Sequence, residues 1–220
     1  MHEPGIIAEA YRHCEQIVRA QDKDHFLASL FAPGERRPCL FALYAFALEI
    51  ARVRALVREP LAGTIRLQWW IEALGGLRNE EAAASPVMIA LQDASRQTGV
   101  ALTPLIGAIE SRQAELHGEP AISAVSAVLQ TAARFLGVVD DVAVAADAAA
   151  QAVTFLDNDV QKARAAYSAF GARVGNLPER ALPAFLTVAL VPLLLKNPGA
   201  PQWRRQIALA RAAWFGFPKL

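Results

Sequence analysis

The sequence predicts an all-α protein. Alanine and leucine dominate its 220 residues, and apolar residues recur at steps of three and four, as they do on the buried face of a helix. Alternating β-branched residues, which would indicate strands, are almost absent. Hydrophobic residues make up 54% of the chain and charged residues 20%, which is enough apolar material for a large core. We therefore expect a single helical domain over residues 1–220.

Capping and turn residues give the element boundaries in the first half. The pattern predicts helices at about 6–20 and 25–31, a turn at Pro33-Gly34, and one long helix at about 36–58. Pro60 and Gly63 are expected to break the chain. Thr64 would then cap the next helix, which Gly75-Gly76 ends. Residues 80–86 are expected to form a surface loop.

In the second half the same signals predict seven further helices. They are expected at about 85–97, 103–117, 122–136, 140–155, 157–174, 178–195 and 201–214. Pro183 is tolerated in the first turn of its helix, whereas Pro192 is expected to kink or end it. The aspartates at 140, 141, 157 and 159 suit helix N-termini and turns.

Charge and cysteine usage exclude several classes. The 22 basic and 21 acidic residues leave a net charge of +1, which does not favour nucleic-acid binding. Cys14 and Cys39 lack zinc-like or redox spacing, so we expect free thiols in a reducing compartment. The N-terminus lacks a signal peptide's apolar core, and residues 181–195 are too short to span a membrane. The expected location is cytoplasmic, with peripheral contact on the inner membrane left open.

The sequence lacks the motifs of several other kinds of functional site. The four histidines are scattered and make no di-iron pattern, and no hydrolase, Walker A or Rossmann motif occurs. Trp69 and Trp70 are adjacent and cannot face the same way, so one is expected in the core; for the other, a core role is favoured over a place beside a cavity. The aromatic and basic residues after Pro201 fit either a terminal helix that packs back on the domain, which we favour, or a membrane interface.

The most informative segment is residues 35–60, "ERRPCLFALYAFALEIARVRALVREP". Helical spacing places an apolar set, together with Tyr44, on one face of it. By periodicity alone this is an ordinary core helix with arginines at its edge. The members of that face are Leu40, Leu43, Tyr44, Ala47 and Ala51.

The stretch "LFALYAFALEIARVRA" resembles the first signature of the squalene/phytoene synthase family. In that signature an arginine-containing turn precedes a Leu-Tyr-Ala-Phe segment and an aspartate-rich D-D-x-x-D motif. The similarity continues through "IRLQWWIEAL", "IESRQAEL" and the apolar segment near the C-terminus. The resemblance implies an isoprenoid-synthase-type helical bundle in shortened form.

The chain departs from that family where its chemistry is carried out. In such enzymes, aspartates on two facing helices hold Mg²⁺, a cation that needs oxygen ligands. Aligned on Tyr44, the three positions of the first motif are Ala51, Arg52 and Ala55, and the landmarks of the second motif are missing. Glu49 is about 160° away on the helix. We therefore expect no catalytic residue, no metal ligand and no cofactor, with Mg²⁺ only if the chain is an active synthase.

The resemblance is strongest to a non-catalytic subgroup that acts in the assembly of respiratory complex I. It implies a catalytically degenerate protein that acts by binding, with complex I subunits or assembly factors, or an isoprenoid or lipid, as partners. Two alternatives remain: an active Mg²⁺-dependent head-to-head prenyltransferase, and a non-catalytic isoprenoid- or lipid-binding module. Guanidinium groups pair well with phosphate. The candidate anion- or ligand-binding residues are Arg37, Tyr44, Arg52, Arg54 and Trp69.

Overall fold

A computed structural model describes residues 3–219, which form helices joined by turns, with no strand within that range. The expected all-α class is confirmed. The first half contains α1 (Pro4–Gln21), α2 (Lys23–Ser29), α3 (Arg37–Ala51), α4 (Val53–Leu56), α5 (Pro60–Leu74), α6 (Asn79–Ala82) and α7 (Pro86–Thr98).

The second half contains α8 (Pro104–Glu115), α9 (Ile122–Phe135), α10 (Ala143–Thr154), α11 (Val160–Val174), α12 (Leu182–Phe185), α13 (Val191–Lys196) and α14 (Gln202–Phe215). Short 3₁₀ segments at Glu179–Ala181 and Leu186–Leu190 flank α12. None of the helices described between residues 3 and 219 is both long and apolar enough to traverse a bilayer.

The prediction of one long helix over 36–58 was wrong. The chain tightens at Arg52, whose carbonyl accepts a hydrogen bond from the Ala55 N–H three residues on, at 3.0 Å. The same carbonyl also accepts the Leu56 N–H at 3.2 Å, so these bonds form the single turn of α4, and Arg52 is the turn residue between α3 and α4. Val57 then takes an extended conformation that ends α4.

The break predicted at Pro60 and Gly63 was also wrong. Pro60 starts α5, where a missing N–H costs nothing, and Gly63 lies inside the helix. A Cβ on Gly63 would lie 2.7 Å from Leu116 Cδ1, so glycine permits close packing there. Thr64 is not the N-cap, and its hydroxyl instead donates to the Pro60 carbonyl at 3.2 Å.

Three other boundaries differ from expectation. The first residues of the expected 80–86 loop instead belong to the short helix α6. Acidic residues in the first turn of α6 interact favourably with the helix dipole. The first acids of the 140–155 segment precede α10, and Asp141 accepts a hydrogen bond from the Ala143 N–H at 2.8 Å. Asp159 caps α11 through the Lys162 N–H at 3.0 Å, as expected. The segment expected to form one helix over 178–195 is divided into shorter helices. Pro192 lies in the first turn of the last of them, α13, which agrees with the break expected at this proline.

The core is built around α3. Every residue from Cys39 to Phe46 is buried, because α1, α2, α7, α8 and α9 all pack against this helix. Cys14 and Cys39 are both free and buried, and burial raises the pKa of the Cys14 thiol to about 12. A smaller apolar cluster fixes α14 against the segment that follows α12, and it comprises Ala28, Leu186, Ala189, Leu190, Leu209 and Ala212.

Candidate functional site

A cavity of about 160 Å³ lies between the C-terminal half of α3 and α9. Its walls are mostly apolar. Four polar side chains also line it, from the turn before α2, from α2, from α3 and from α8. The apolar lining is Ala47, Leu48, Ile50, Ala51, Ala124, Val125, Val128 and Leu129, and the polar lining is Asp22, His25, Tyr44 and Arg112.

Asp22 and His25 form a pair at one end of the cavity. Asp22 is the N-cap of α2, so its Oδ1 accepts the His25 N–H at 3.0 Å, while its Oδ2 lies 2.7 Å from His25 Nδ1. Burial by itself would raise the pKa of Asp22. The attraction and hydrogen bonds of His25, together with the charge of Arg205, outweigh that effect and lower this pKa below its ordinary value. The pair therefore holds an ionised carboxylate beside the cavity at neutral pH.

Tyr44 lies against the same histidine. The two ring centroids are 4.4 Å apart at an interplanar angle of 46°, and His25 Nε2 is 3.5 Å from Thr187 Oγ1. The Tyr44 hydroxyl is buried and has no hydrogen-bond partner among the protein atoms. Burial first, and the charge of Asp22 second, raise the pKa of Tyr44. The phenol is therefore protonated and able to donate at neutral pH.

Arg112 completes the polar lining from α8. Its Nη1 donates to Glu115 Oε2 at 2.8 Å, one turn later on the same helix. Its Nε is buried and has no partner among the protein atoms. The Arg112 Nε–H is therefore a buried donor without a partner, on a guanidinium whose charge is already paired.

The sequence reasoning missed three of the four polar residues. Asp22 and His25 at a three-residue separation are typical of a capped helix start, and this pattern carries no signal for a cavity. Arg112 lies in the segment that resembles the family, but one arginine on an amphipathic helix is usually a surface residue. Only the packing of α8 and α9 against α3 brings these side chains together.

Two of the sequence-predicted residues line the cavity, namely Tyr44 and Ala51. Arg37 lies at the other end of α3, where its Nε donates to the Ala32 carbonyl at 2.9 Å. Arg52 and Ala55 are exposed, and Arg52 forms an ion pair with Glu49 at 3.1 Å.

The remaining two candidates have partners elsewhere. Arg54 donates through Nη1 to the Glu115 carbonyl. Trp69 donates through Nε1 to Glu81 Oε2 at 2.7 Å, and it borders a separate shallow pocket beside Arg52. Trp70 is buried in the core. The five candidates are therefore not brought together in one site, and their role in binding an anion stays a prediction.

The residues around the cavity do not fit the metal site of a synthase. Of the first-motif positions, only Ala51 faces the cavity. Asp22 is the one carboxylate in its lining, and His25 already engages it. Asp147 of α10 accepts a hydrogen bond from the Ser126 hydroxyl of α9. Between residues 3 and 219, no three His, Cys, Asp or Glu side chains are grouped in a way that would hold a metal ion.

A larger groove of about 820 Å³ lies elsewhere, where the end of α7 and the loop after it face α8 and α9. Its lining includes a single charged residue, Arg134, among glycines and small side chains. None of the candidate residues predicted from the sequence lines it. The smaller cavity is therefore the better candidate, because it combines an apolar interior with convergent polar groups.

Comparison with known proteins places these features in a family. The model of the squalene/phytoene synthase family matches residues 18–133, more than half of the chain. Three curated relatives illustrate the similarity. A Bos taurus protein named NADH dehydrogenase (ubiquinone) complex I, assembly factor 6 is 31% identical over 105 residues. Its Homo sapiens counterpart is 30% identical over 104 residues, and the Drosophila melanogaster homolog is 34% identical over 64 residues.

The matched segments cover only part of each protein. They amount to 48% of this chain and 32% of the bovine protein, 47% and 31% for the human protein, and 29% and 19% for the fly protein. The chain therefore spans about a third of the length of the mammalian relatives it matches.

Proposed function

The chain belongs to the squalene/phytoene synthase family, and from that premise we propose that it is a non-catalytic member that acts by binding in the assembly of respiratory complex I. One observation supports the proposal: the cavity beside Tyr44 and Ala51 has a single carboxylate in its lining, and the described residues contain no group of acidic side chains that would hold a metal. Without such ligands the departure of a diphosphate would lack its electrophilic assistance. The names of the relatives support the assembly role.

A deletion strain tests the assembly role. Loss of the protein is expected to lower the amount of assembled NADH dehydrogenase, measured by native gel electrophoresis and NADH oxidation by membranes. Re-expression of the unaltered chain is expected to restore it. An unchanged level of the assembled complex in the deletion strain would contradict the proposal.

The rival function, an active prenyltransferase, is tested on the purified protein. Farnesyl or geranylgeranyl diphosphate and Mg²⁺ are supplied, and released diphosphate is measured. We expect no release above a protein-free control. Sustained turnover would overturn the non-catalytic proposal, whatever the outcome in the deletion strain.

We further propose that α14 makes a peripheral contact with an anionic membrane. Trp203, Ile207 and Trp214 are 56%, 52% and 75% exposed. Their spacing of four and seven residues places them on one face of α14. This helix contains no acidic residue, and among the described residues neither Arg204 nor Arg211 has a carboxylate within ion-pair distance. Exposed tryptophan beside arginine suits the interface of an anionic bilayer.

Vesicle sedimentation tests this contact. The protein is expected to sediment with vesicles of phosphatidylglycerol and phosphatidylcholine but not with phosphatidylcholine alone, and to dissociate at high salt. The double variant Trp203→Ser, Trp214→Ser is expected to lose binding, whereas Arg164→Gln on the exposed face of α11 keeps it. The contact would be refuted if the protein sedimented equally with the two kinds of vesicle. It would also be refuted if the double tryptophan variant and Arg164→Gln sedimented to the same extent.

A further inference from the structure

The positive charge of the chain is concentrated in residues 180–220. This segment contains six arginines and lysines and no acidic residue, whereas residues 1–179 contain 16 basic and 21 acidic residues. Within the described part of the chain, Arg205 is the one member of the six that meets a carboxylate, through its ion pair with Asp24. The C-terminal part of the fold therefore carries positive charge that the protein itself does not neutralise.

Three of these cations, Lys196, Arg211 and Lys219, border one groove of about 450 Å³ between α13 and α14. Each of the three is exposed, and none forms an ion pair with another described residue. None of the described residues that line the groove is acidic, and its other walls are mostly apolar, with Leu193 on one side and Phe215 on the other. The groove therefore combines an apolar lining with a cationic rim.

The wall that leads to Lys219 is held in place by the core. Phe217 packs edge-on against Phe170, with the two ring centroids 5.2 Å apart. The Tyr167 hydroxyl donates to the Pro218 carbonyl at 2.6 Å. Lys219 comes directly after these two anchored residues, so the backbone that carries its charge is fixed along the groove.

The apolar side of the groove continues onto the outer face of α14. Phe215 lines the groove and is 82% exposed. Arg211 lies one helical turn before both Trp214 and Phe215, so it stands between the groove and the exposed tryptophan face. A ligand in the groove would therefore also border the aromatic side chains that suit a bilayer interface.

These features match an anion that is attached to hydrocarbon. Lysine and arginine pair favourably with a phosphodiester, and this pairing compensates the anion for its lost hydration. A free phosphate ion would leave Phe215 in water, and an uncharged lipid would leave the three cations without a counter-charge. An anionic glycerophospholipid supplies both parts in one molecule.

We propose that the groove between α13 and α14 is a binding site for one anionic glycerophospholipid. The lipid phosphate lies beside Lys196, Arg211 and Lys219. The adjoining hydrocarbon packs against Leu193 and Phe215. This site rests on the membrane contact proposed for α14, which brings the groove to the bilayer, and it adds a defined lipid to that contact.

Short-chain lipids below their micelle concentration test the site without a bilayer. Dihexanoyl phosphatidylglycerol is titrated into the purified protein, and the methyl resonances of Leu193 and Ala208 are followed by NMR. Saturable binding is expected. Dihexanoyl phosphatidylcholine, whose headgroup has no net charge, and inorganic phosphate, which has no hydrocarbon, are each expected to bind about fivefold more weakly or less.

Two arginines of α14 provide a matched pair of variants. Arg211→Gln removes a cation from the groove, whereas Arg204→Gln removes an exposed cation of the same helix that does not line it. Arg211→Gln is expected to weaken the binding of dihexanoyl phosphatidylglycerol about fivefold, the usual effect of one basic residue near an anionic lipid. Lys196→Gln, on the α13 wall, is expected to do the same, and Arg204→Gln to bind as the parent does. The Tm of the arginine variants is expected to stay at the parent value, because both side chains are exposed.

The outcomes separate the lipid site from the membrane contact. If the parent does not sediment with anionic vesicles, both are wrong. If the parent sediments but binds the two short-chain lipids equally, the lipid site is wrong and the membrane contact stands. Equal losses in Arg211→Gln and Arg204→Gln would assign the binding to diffuse charge and overturn the site. Inorganic phosphate that binds as tightly as dihexanoyl phosphatidylglycerol would reduce the groove to a site for an adventitious ion only, which also overturns it.

Discussion

Asp22 both caps α2 and pairs with His25 beside the cavity. A single side chain thus links a local structural function to the site. The pattern of an aspartate before a helix predicts a cap, but it does not indicate that the second carboxylate oxygen meets a histidine ring that lies tilted against Tyr44.

The Asp22 pair predicts a dependence of stability on pH. Because its pKa is lower in the folded protein than in the unfolded chain, the ionised carboxylate stabilises the fold above the unfolded pKa of about 4. This contribution is lost as the pH falls below that value. In Asp22→Asn, which keeps an acceptor for the cap, the free energy of unfolding is expected to fall less steeply in this acidic range.

Urea unfolding at a series of acidic and neutral pH values checks this expectation. Asp157→Asn, at an exposed position in the turn before α11, serves as the control and is expected to follow the parent. Parallel curves for the parent and Asp22→Asn would show that the pair does not act in this way.

At the scale of elements, an ion pair adds to the apolar contacts that hold α14 against α2 and the segment after α12. Arg205 meets Asp24 of α2, which is only 8% exposed, and Gln202 Nε2 donates to the same carboxylate at 3.2 Å. On this helix Trp203 and Trp214 face outward, while Leu209 and Ala212 are buried in the smaller apolar cluster. The terminal helix therefore both packs on the domain and leaves an apolar face uncovered.

Removal of the Arg205 side chain is expected to destabilise the packing of α14 against α2. Arg205→Met leaves the Asp24 carboxylate buried without its cation, at a cost of about 2 kcal/mol. The double variant Asp24→Leu, Arg205→Met removes both charges and is expected to cost less than the single one. Urea midpoints of the parent and variants give the comparison, with Arg204→Met as the control for loss of an unpaired arginine. Additive effects of the two substitutions would contradict a coupled pair.

At the scale of the molecule, one apolar cluster joins α1, α3, α5, α7, α8, α9, α10 and α11. Such a shared core predicts that residues 1–220 unfold as one unit. In a variant that keeps Trp70 as its only tryptophan, the fluorescence and far-UV circular dichroism transitions in urea are expected to coincide. Separate midpoints would divide the chain into two cooperative parts.

Several elements were predictable because their signals are local. Asp159 caps α11 as its position predicts, and the apolar repeat places α3 in the core. The predicted break at Pro60 and Gly63 was wrong because each residue type has two common uses. Proline occurs at the start of a helix as well as at a break, and glycine occurs at close contacts as well as in turns. Only the neighbouring Leu116 distinguishes the two meanings of glycine at this position.

By itself, the sequence determined the helical class, the family resemblance and the loss of carboxylates at Ala51, Arg52 and Ala55, because each depends on residue types at fixed helical spacing. The tertiary structure alone decided which side chains share a cavity. Asp22, Tyr44 and Arg112 are separated along the chain, and only the packing of their helices brings them together. It also showed which donors have no partner, since satisfying a buried hydroxyl depends on every atom around it.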